Sequence, residues 1–428
     1  MKENSFIYLR GFKHAAFTVF CVEDGQKSYY DPQFNVRVPF ASGQQVKRSI
    51  LEQLNDVLGV QPSPTEFFFD VDKKGALKEG EVLSSCDPHY VDQLLGGWMR
   101  TPKGGKEKAV KRRSPFSISA MTPLHPLLAA VSKENISFDR SDKPNVHKVV
   151  VRDANGNRLT DEQVSDFLEG NDRSLYRKWI PDNSRATGLF VYDVAIDLRR
   201  LFCVSTNQLE PEITSDMVEK LKEDGWKVIT TSFGECLLMP KEQREQIIPA
   251  IADALIDWHI TSNQARTFSL METLAIAISD NANTLAAAIR AKLVEDGESK
   301  PKAKPIVDEN AGAKTFITLP CASYVVTETE SADALAKAKQ ELVEECGLSC
   351  TVRADNTEHF ALLHLHINFF NRFKSTKVFA DIPRFKQCTH TFAPLLSFLV
   401  MVFPESILSD APIRPCGRTH IIRMIIAA

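Results

Sequence analysis

A short turn near residue 42 combines residue types that could bind an anion. The segment PFASGQQVKR (39–48) places Ser42, Gly43 and Gln44 at the start of a helical pattern, with Lys47 and Arg48 one turn further on. The first N–H groups of a helix lack intrahelical partners and lie at the positive end of the helix dipole. A glycine there lets a phosphate approach the backbone. The turn is either a phosphate site or an ordinary serine cap followed by solvated cations. It is not a P-loop, because GxxxxGK[ST] is absent.

A second candidate is the basic run 100–113, which contains a single acid, Glu107, and two glycines. Lysine and arginine that neutralise phosphates release counterions, so such a run can contact a nucleic-acid backbone. The alternative is a solvated loop. The cations of this run are Arg100, Lys103, Lys106, Lys108, Lys111, Arg112 and Arg113.

A third candidate is the region 133–187, where Tyr176 and Trp179 lie among basic residues. Aromatic rings beside cations suit single-stranded RNA, because bases stack on the rings while the cations follow the backbone. A surface insertion whose aromatic residues belong to the core explains the same pattern.

Motifs for catalysis or metal binding are weak. GxSxG, HExxH and GxGxxG are absent, and the nine cysteines include no CxxC pair, which is typical of reduced thiols. His14 could do general acid–base work, although a lone histidine is more often a structural polar contact. We therefore expect no catalytic residue, no metal and no cofactor.

The elements that would position these residues follow from periodicity. Residues 6–22 are rich in aromatic and β-branched types and predict a strand, and 188–198 predict another. Apolar residues at helical spacing predict a helix over 43–58, capped by Ser42 and stopped by Gly59. The formal net charge of -3 means that nucleic-acid binding would need a local basic stripe. The first residues lack the apolar h-region and cleavage site of a signal peptide, and the long apolar run near Phe392 to Phe403 falls short of a membrane span of about 20 residues. We therefore expect a cytoplasmic protein that does not contact a membrane.

Five segments in this order resemble the RAMP superfamily of CRISPR-associated proteins. More narrowly they are similar to the Cas-seven backbone subunit of Cascade, in its DevR-like branch of type I systems. The segments are VPFASGQQVKRSILEQL (38–54), KRRSPFSISAMTPLHPL (111–127), NISFDRSD (135–142), ATGLFVYDVAIDLRRL (186–201) and SNQARTFSL (262–270).

The resemblance implies an α+β fold, with an RRM-like (ferredoxin-type) palm built on an antiparallel sheet and carrying large insertions. The palm would span 1–290, with a finger or web at about 60–113 and a thumb at about 133–187. Residues 291–313 would be a charged, proline-bearing linker, and 314–428 a C-terminal segment of uncertain structure.

The resemblance also implies a function, which is to bind CRISPR guide RNA without cutting it. Such subunits polymerise along the guide spacer, so the implied partners are guide RNA, copies of this chain, other Cascade subunits, and target DNA through the guide heteroduplex. The implied RNA-binding residues are Ser42, Gly43, Gln44, Lys47 and Arg48, then Lys111, Arg112 and Arg113, then Lys13 and His14, and finally Arg140, Gln264 and Arg266. Two alternatives remain: a RAMP-type endoribonuclease that processes CRISPR transcripts, and an assembly protein without an RNA partner.

Overall fold

The computed structural model describes residues 5–20, 26–101, 108–169, 174–260, 268–295, 297–318 and 329–355. The strands are β1 (Phe6–Thr18), β2 (Ser28–Asp31), β3 (Val36–Pro39), β4 (Thr65–Val71), β5 (Leu77–Ser84), β6 (Trp98–Arg100), β7 (Val110–Arg112), β8 (Phe116–Ile118), β9 (Thr122–Pro123), β10 (Ala129–Asp139), β11 (Arg177–Asp197), β12 (Cys203–Ser205), β13 (Lys227–Thr231), β14 (Gly234–Leu238), β15 (Thr273–Ser279), β16 (Ile289–Val294), β17 (Lys302–Val307) and β18 (Lys314–Ile317). The helices are α1 (Gly43–Leu58), α2 (Val91–Gly96), α3 (Asp161–Leu168), α4 (Ser215–Glu223), α5 (Lys241–Asp257), α6 (Ala282–Ala288) and α7 (Ala334–Asp355). None of these helices combines the length and apolarity needed to cross a membrane.

The central sheet has the strand order β10-β11-β1-β15-β18, and its neighbouring strands are antiparallel. The short strands β8 and β9 also pair with β11. Helices α1 and α5 pack against each other and against this sheet. Along the chain, the core elements therefore run strand, helix, strand, strand, helix, strand. This is the ferredoxin-type order, and it confirms the predicted α+β class with an RRM-like palm.

Side chains alternate between the two faces of each strand, and each face of the palm sheet packs against a buried cluster. Ile7 and Leu9 of β1 join the core cluster that includes α1 and α5. Phe12 points to the opposite face and joins a smaller cluster with Leu274 and Leu285. The second cluster lies beneath α6 and the β16–β17 hairpin, so this side of the sheet is covered as well.

Helix α1 has the bounds that its sequence predicts. Ser42 caps its first turn, and Gly59 ends it with a left-handed φ of 64°. Val46, Ile50 and Leu54 are buried along one face. The apolar spacing therefore sets both the existence of the helix and the side it presents to the core.

Strands β10 and β11 form a long hairpin that extends away from the palm. Their register runs from the pair Ala129 and Gly188 to the pair Asp139 and Arg177. Gly188 lies at the palm end with φ 144°, and a Cβ there would be 2.4 Å from the carbonyl oxygen of Leu128. Only glycine fits this close approach. The range expected for the thumb contains the distal part of this hairpin and α3.

A second hairpin, β4–β5, carries an exposed apolar face. Phe67 pairs with Val82, and Val71 pairs with Leu77, while Phe69 lies between them on the same face. These five side chains are 58% to 74% exposed. The two strands form a separate two-stranded sheet within the described part of the chain. The hairpin falls in the range expected for the finger or web.

The sequence suggested that the palm ends at residue 290, but the structure continues it beyond that residue. Residues expected to form a linker contain the paired strands β16 and β17, and β18 is hydrogen-bonded to β15 within the palm sheet. Helix α7 packs against α5. Residues 1–363 group as one compact unit, and the remaining unit, 364–428, lies outside the described residues. The charged and proline-bearing composition misled the prediction because half-exposed hairpin strands need few apolar side chains.

Candidate nucleic-acid interface

The start of α1 is a capped helix end with one accessible side. The Ser42 hydroxyl accepts a hydrogen bond from the Gln45 N–H at 3.3 Å. Ala41, just before it, exchanges both backbone hydrogen bonds with Met121, which fixes the entry of the chain. Gln44 and Arg48 are exposed. The positive end of the helix dipole and two exposed donors therefore face outward together.

Gly43 serves packing at this helix start. A Cβ at this position would lie 3.1 Å from the carbonyl oxygen of Ile118 and 3.2 Å from the backbone nitrogen of Ala120. The missing side chain thus admits the chain segment 118–120. The sequence predicts that this glycine lets a phosphate approach, but the neighbouring backbone occupies that space.

Lys47 and Arg48 point in different directions. The Lys47 ammonium donates to the carbonyl oxygen of Gly96 at 2.6 Å and to the Ser114 hydroxyl at 2.8 Å. Burial lowers the pKa of Lys47. Lys47 therefore ties α1 to α2 and to the chain before β8, and it is turned away from the surface where we expected it to hold RNA.

Arg48 remains available to an anion. Its Nε donates to the Glu52 carboxylate at 2.7 Å, but both side chains are at least half exposed. An exposed pair of this kind contributes little stability, because water and salt screen it. A phosphate can replace the carboxylate at small cost.

The β2–β3 hairpin adds aromatic rings and cations beside the helix start. Tyr29, Tyr30 and Arg37 are exposed on it, and Lys27 is exposed just before β2. The Phe40 N–H donates to the carbonyl oxygen of Lys27 at 3.1 Å, so the base of the hairpin is fixed two residues before Ser42.

The sequence patterns predict no element between the strand 6–22 and the helix 43–58, so they miss this hairpin. A signal was present: YY and VRV flank the turn-forming DPQFN, as expected of two short strands joined by a loop. Asn35 in that loop adopts the left-handed φ of 55° that asparagine tolerates.

The three consecutive cations 111–113 alternate between surface and core. Lys111 and Arg113 are exposed, and Lys111 lies 3.8 Å from the Glu210 carboxylate. The guanidinium of Arg112 is 0% exposed and pairs with Glu212 at 3.1 Å. The prediction that Arg112 lines an RNA groove is therefore contradicted, since its side chain is consumed by internal contacts.

Lys13 is also an interior residue. Its ammonium donates to Thr273 Oγ1 at 2.8 Å and to the carbonyl oxygen of Ile256 at 3.2 Å, and it lies 5.1 Å from the centre of the Trp258 ring. Burial lowers the pKa of Lys13 to about 7, partly opposed by Asp257. Lys13 holds the end of α5 to the sheet, so it does not present a charge to RNA as predicted.

His14, the next residue, lies on the other face of β1. Its Nδ1 is 2.8 Å from Glu272 Oε1, and the imidazole is 20% exposed. The carboxylate fixes the orientation of the ring. This half-buried pair lies where β15 begins.

The remaining predicted residues are dispersed. Arg140 is exposed beyond the distal end of β10 and donates to the carbonyl oxygen of Asp139 at 2.8 Å. Gln264 and Arg266 lie outside the described residues. Of the predicted residues that the structure describes, Ser42, Gln44 and Arg48 lie together at one helix start.

That group is continuous with the base of the long hairpin. Strand β3 packs against β10 and against the turn Pro126–Leu128, and the rings of Phe34 and His125 are 4.7 Å apart. We name the surface formed by the α1 start and the β2–β3 hairpin the helix-start surface. It combines exposed cations with exposed tyrosines, which suits a single-stranded nucleic acid. No cluster of three metal-ligating side chains was found among the described residues.

Solved structures resemble this chain only weakly. No family model matches the chain, and no curated protein matches it. A chain of a "CRISPR RNA-guided surveillance complex, pre-nicking" matches with a TM-score of 0.37 and 8% identity, covering 79% of this chain and 86% of that one. A chain of a "CRISPR RNA-guided surveillance complex" matches with a TM-score of 0.32 and 11% identity, covering 79% and 80%. Scores this low carry no inference about what this chain binds.

Proposed function

We propose that this chain is a non-catalytic RNA-binding backbone subunit of a type I CRISPR surveillance complex. In this proposal it lies with further copies along the guide spacer, and base pairing by the guide recognises target DNA. The observation that carries RNA binding is the helix-start surface, where a capped helix end lies beside exposed tyrosines and arginines on an otherwise acidic protein. The CRISPR assignment rests on the ordered resemblance of five sequence segments.

The geometry suits contacts that ignore base identity. Arg48 can exchange Glu52 for a phosphate, and Arg37 adds a second exposed guanidinium on β3. Arginine pairs with phosphate through two parallel hydrogen bonds. Tyr29 and Tyr30 offer ring faces, which stack on any base. A subunit with these contacts leaves the base edges of the guide free to pair.

The test is binding of single-stranded RNA to the purified chain, followed by fluorescence anisotropy at several salt concentrations. Replacing Arg37 and Arg48 together by alanine should weaken binding equally for unrelated sequences. It should also reduce the salt slope by about 1.4, because each phosphate contact on a single strand contributes about 0.7. Arg290→Ala is the matched control, since Arg290 is an exposed arginine on β16 that is paired with a carboxylate, Asp308, as Arg48 is with Glu52. Salt-insensitive or absent RNA binding contradicts the proposal.

A second candidate is the metal-independent endoribonuclease, and the His14–Glu272 pair favours it. A carboxylate that orients an imidazole is the arrangement used by general bases. Incubation with labelled CRISPR repeat RNA and EDTA decides between the two functions. Specific cleavage that is lost in His14→Ala establishes the enzyme, whereas intact RNA bound by both proteins supports the non-catalytic subunit.

A further inference from the structure

The β16–β17 hairpin has one positively charged face. Side chains at alternate positions of paired strands point to the same side of a sheet. The register of this hairpin therefore places six side chains on one face, which we name the basic face. Its members are Arg290, Lys292, Val294, Lys302, Lys304 and Ile306. The four cations among them are exposed, and the other two residues are aliphatic.

The basic face is turned away from the core. On the opposite side of the hairpin, Ile289 is buried and Val307 packs against the same core cluster. Strand β16 also packs against α6, and β17 packs against the turn Pro126–Leu128. Neither α6 nor that turn contains a charged side chain. These two supporting elements therefore supply no acid to the basic face.

Two lysines of the basic face lie directly opposite each other. Lys292 pairs with Lys304 in the register. Opposed side chains of an antiparallel pair have Cβ atoms about 4.5–5.5 Å apart, and like charges at such positions destabilise the sheet. Among the residues that the structure describes, the ion pairs of this hairpin involve its other two strand cations and leave both of these ammonium groups unpaired. The fold therefore carries an unfavourable charge contact that the described acids do not relieve.

The acids of the hairpin lie at its two ends. Asp308, after β17, pairs with Arg290 at 3.0 Å, and Glu298, in the turn, pairs with Lys302 at 2.5 Å. Cations and acids are equal in number over residues 289–309, so the basic face arises from the separation of charges and not from a net charge. At about 3.4 Å per residue, the acids nearest in sequence to the two opposed lysines are about 10 and 14 Å away along the strands. Salt screens charges beyond roughly 8 Å at physiological ionic strength, so these acids do not neutralise the middle of the hairpin.

Protection of a sheet edge does not explain the opposed lysines. Lysines on edge strands prevent pairing with other chains, and they do so at any exposed position. Pro305 of β17 already lacks the N–H that such pairing uses. Placing one lysine opposite another adds a cost that edge protection does not require.

A nucleic-acid backbone relieves the repulsion between these lysines. A phosphate that lies between two ammonium groups attracts both of them, and its bound counterions are released. Lysine is a point charge on a flexible stem, so it binds phosphates of either RNA or DNA without a fixed geometry. The basic face contains no aromatic ring on which a base could stack. The contact is therefore made to the backbone and is independent of sequence.

The hairpin lies close to the helix-start surface. Strands β3 and β17 both pack against the turn Pro126–Leu128, and β3 carries Arg37. One short turn therefore lies between the strands that carry the two surfaces. Residues 289–307 lie outside the five sequence segments that resemble the RAMP superfamily, so the resemblance does not imply this contact.

We propose that Lys292 and Lys304 form a binding site for the phosphate backbone of a nucleic acid. The site adds a contact beyond the helix-start surface, and to that extent the inference rests on the proposed RNA-binding function. The phosphates come either from the guide RNA or from a DNA strand, which present the same charges to lysine. Arg290 is not assigned to the site, because its guanidinium donates to the carbonyl oxygen of Ala287 at 2.6 Å as well as to Asp308.

The test compares the full-length wild-type chain with a variant that combines Lys292→Gln and Lys304→Gln. Fluorescence anisotropy measures its affinity for labelled single-stranded RNA, single-stranded DNA and duplex DNA of equal length. Two lost phosphate contacts on a single strand should lower the salt slope by about 1.4, which corresponds to an affinity about 25-fold lower at about 0.1 M salt. The thermal midpoint of unfolding should stay equal or rise, because the repulsion between the lysines is removed. Lys292→Arg with Lys304→Arg keeps both charges and should retain binding.

Lys73→Gln with Lys74→Gln is the matched control. These two lysines are exposed in the turn of the β4–β5 hairpin, so this variant loses the same charge from another surface. Its affinity and salt slope should remain those of the wild type. A loss as large as that of the Lys292 and Lys304 variant would show that net charge alone decides binding, which overturns the site.

The three ligands identify the source of the phosphates and separate the site from the proposed function. Weaker binding of RNA assigns the guide, weaker binding of DNA alone assigns a DNA strand, and either result supports the site. A wild-type chain that binds DNA through the two lysines but binds no RNA keeps the site and removes the proposed function. If wild type and variant bind all three ligands equally, the site is wrong and the RNA-binding function stands. Aggregation of the variant with unchanged affinity would identify the lysines as edge protection, and a wild-type chain that binds none of the ligands would overturn both proposals.

Discussion

Replacing Arg112 by methionine should destabilise the fold, whereas the same change at Arg113 should not. The Arg112 guanidinium donates to the carbonyl oxygens of Leu94, Arg200 and Cys203 and to the Glu212 carboxylate, at 2.8 to 3.2 Å. It also lies 5.6 Å from the centre of the Trp98 ring. Methionine retains the apolar stem and removes all of these polar contacts.

The cost follows from what is left behind. Removing one partner of a buried ion pair costs about 3–5 kcal/mol. Glu212 keeps Arg200 at 2.8 Å and the Ser205 N–H at 2.9 Å, so its carboxylate is not orphaned. We therefore expect the lower end, about 3 kcal/mol, most of it from the carbonyl oxygens that lose their donor. Arg113→Met should stay within about 0.5 kcal/mol of the wild type, as exposed positions do.

Urea unfolding followed by tryptophan fluorescence measures this difference. With a slope of about 3 kcal/mol per molar, Arg112→Met should lower the midpoint by about 1 M. RNA anisotropy at low urea, where both variants are folded, provides the second readout. Arg113→Met can lose affinity for RNA there, whereas Arg112→Met should not. An unchanged midpoint for Arg112→Met, with weaker and less salt-dependent RNA binding, would refute the interior role derived for this arginine.

Three further outcomes test the packing around the site. Between about pH 7 and 10.5, Lys13 is protonated in the unfolded chain but has lost its proton in the folded chain. Because the unfolded chain then binds more protons, Lys13 makes the free energy of unfolding rise with pH, by up to about 1.4 kcal/mol per unit. Urea midpoints across that range should show that this rise is missing in Lys13→Met. Ser42→Ala should cost about 1 kcal/mol through loss of the helix cap, measured by thermal unfolding. Gly188→Ala should cost about 2–4 kcal/mol, because its Cβ collides with the Leu128 carbonyl at a left-handed φ; a midpoint equal to the wild type would contradict the close crossing of strands at the base of the long hairpin.

Local sequence signals were sufficient to predict features that depend on a single helix or strand. The cap at Ser42, the stop at Gly59 and the apolar spacing between them gave the bounds of α1 correctly, since helix ends depend on neighbouring residues. The inward direction of Lys13 was also available from the sequence. Strand periodicity places it on the same face as Ile7 and Leu9, which are core residues.

The rest depended on contacts between distant parts of the chain. The partner of the buried Arg112 is Glu212, which lies 100 residues away in sequence. Without knowledge of that partner, the sequence does not distinguish Arg112 from its neighbours Lys111 and Arg113. Lys47 likewise donates its hydrogen bond to a residue far away in sequence, at the carbonyl oxygen of Gly96.

The central place of β1 in the sheet has a consequence for biosynthesis. Its first rungs pair with Asp197 and Ser279, so its partners are synthesised roughly 190 and 270 residues later. At about 5–20 residues per second, the ribosome delivers the second partner some 14–54 s after β1 has emerged. During that interval the apolar segment FIYLRGFKHAAF has both edges unpaired. Nascent chains of this protein should therefore depend on a chaperone, and expression at a lower temperature with added chaperone should raise the soluble yield.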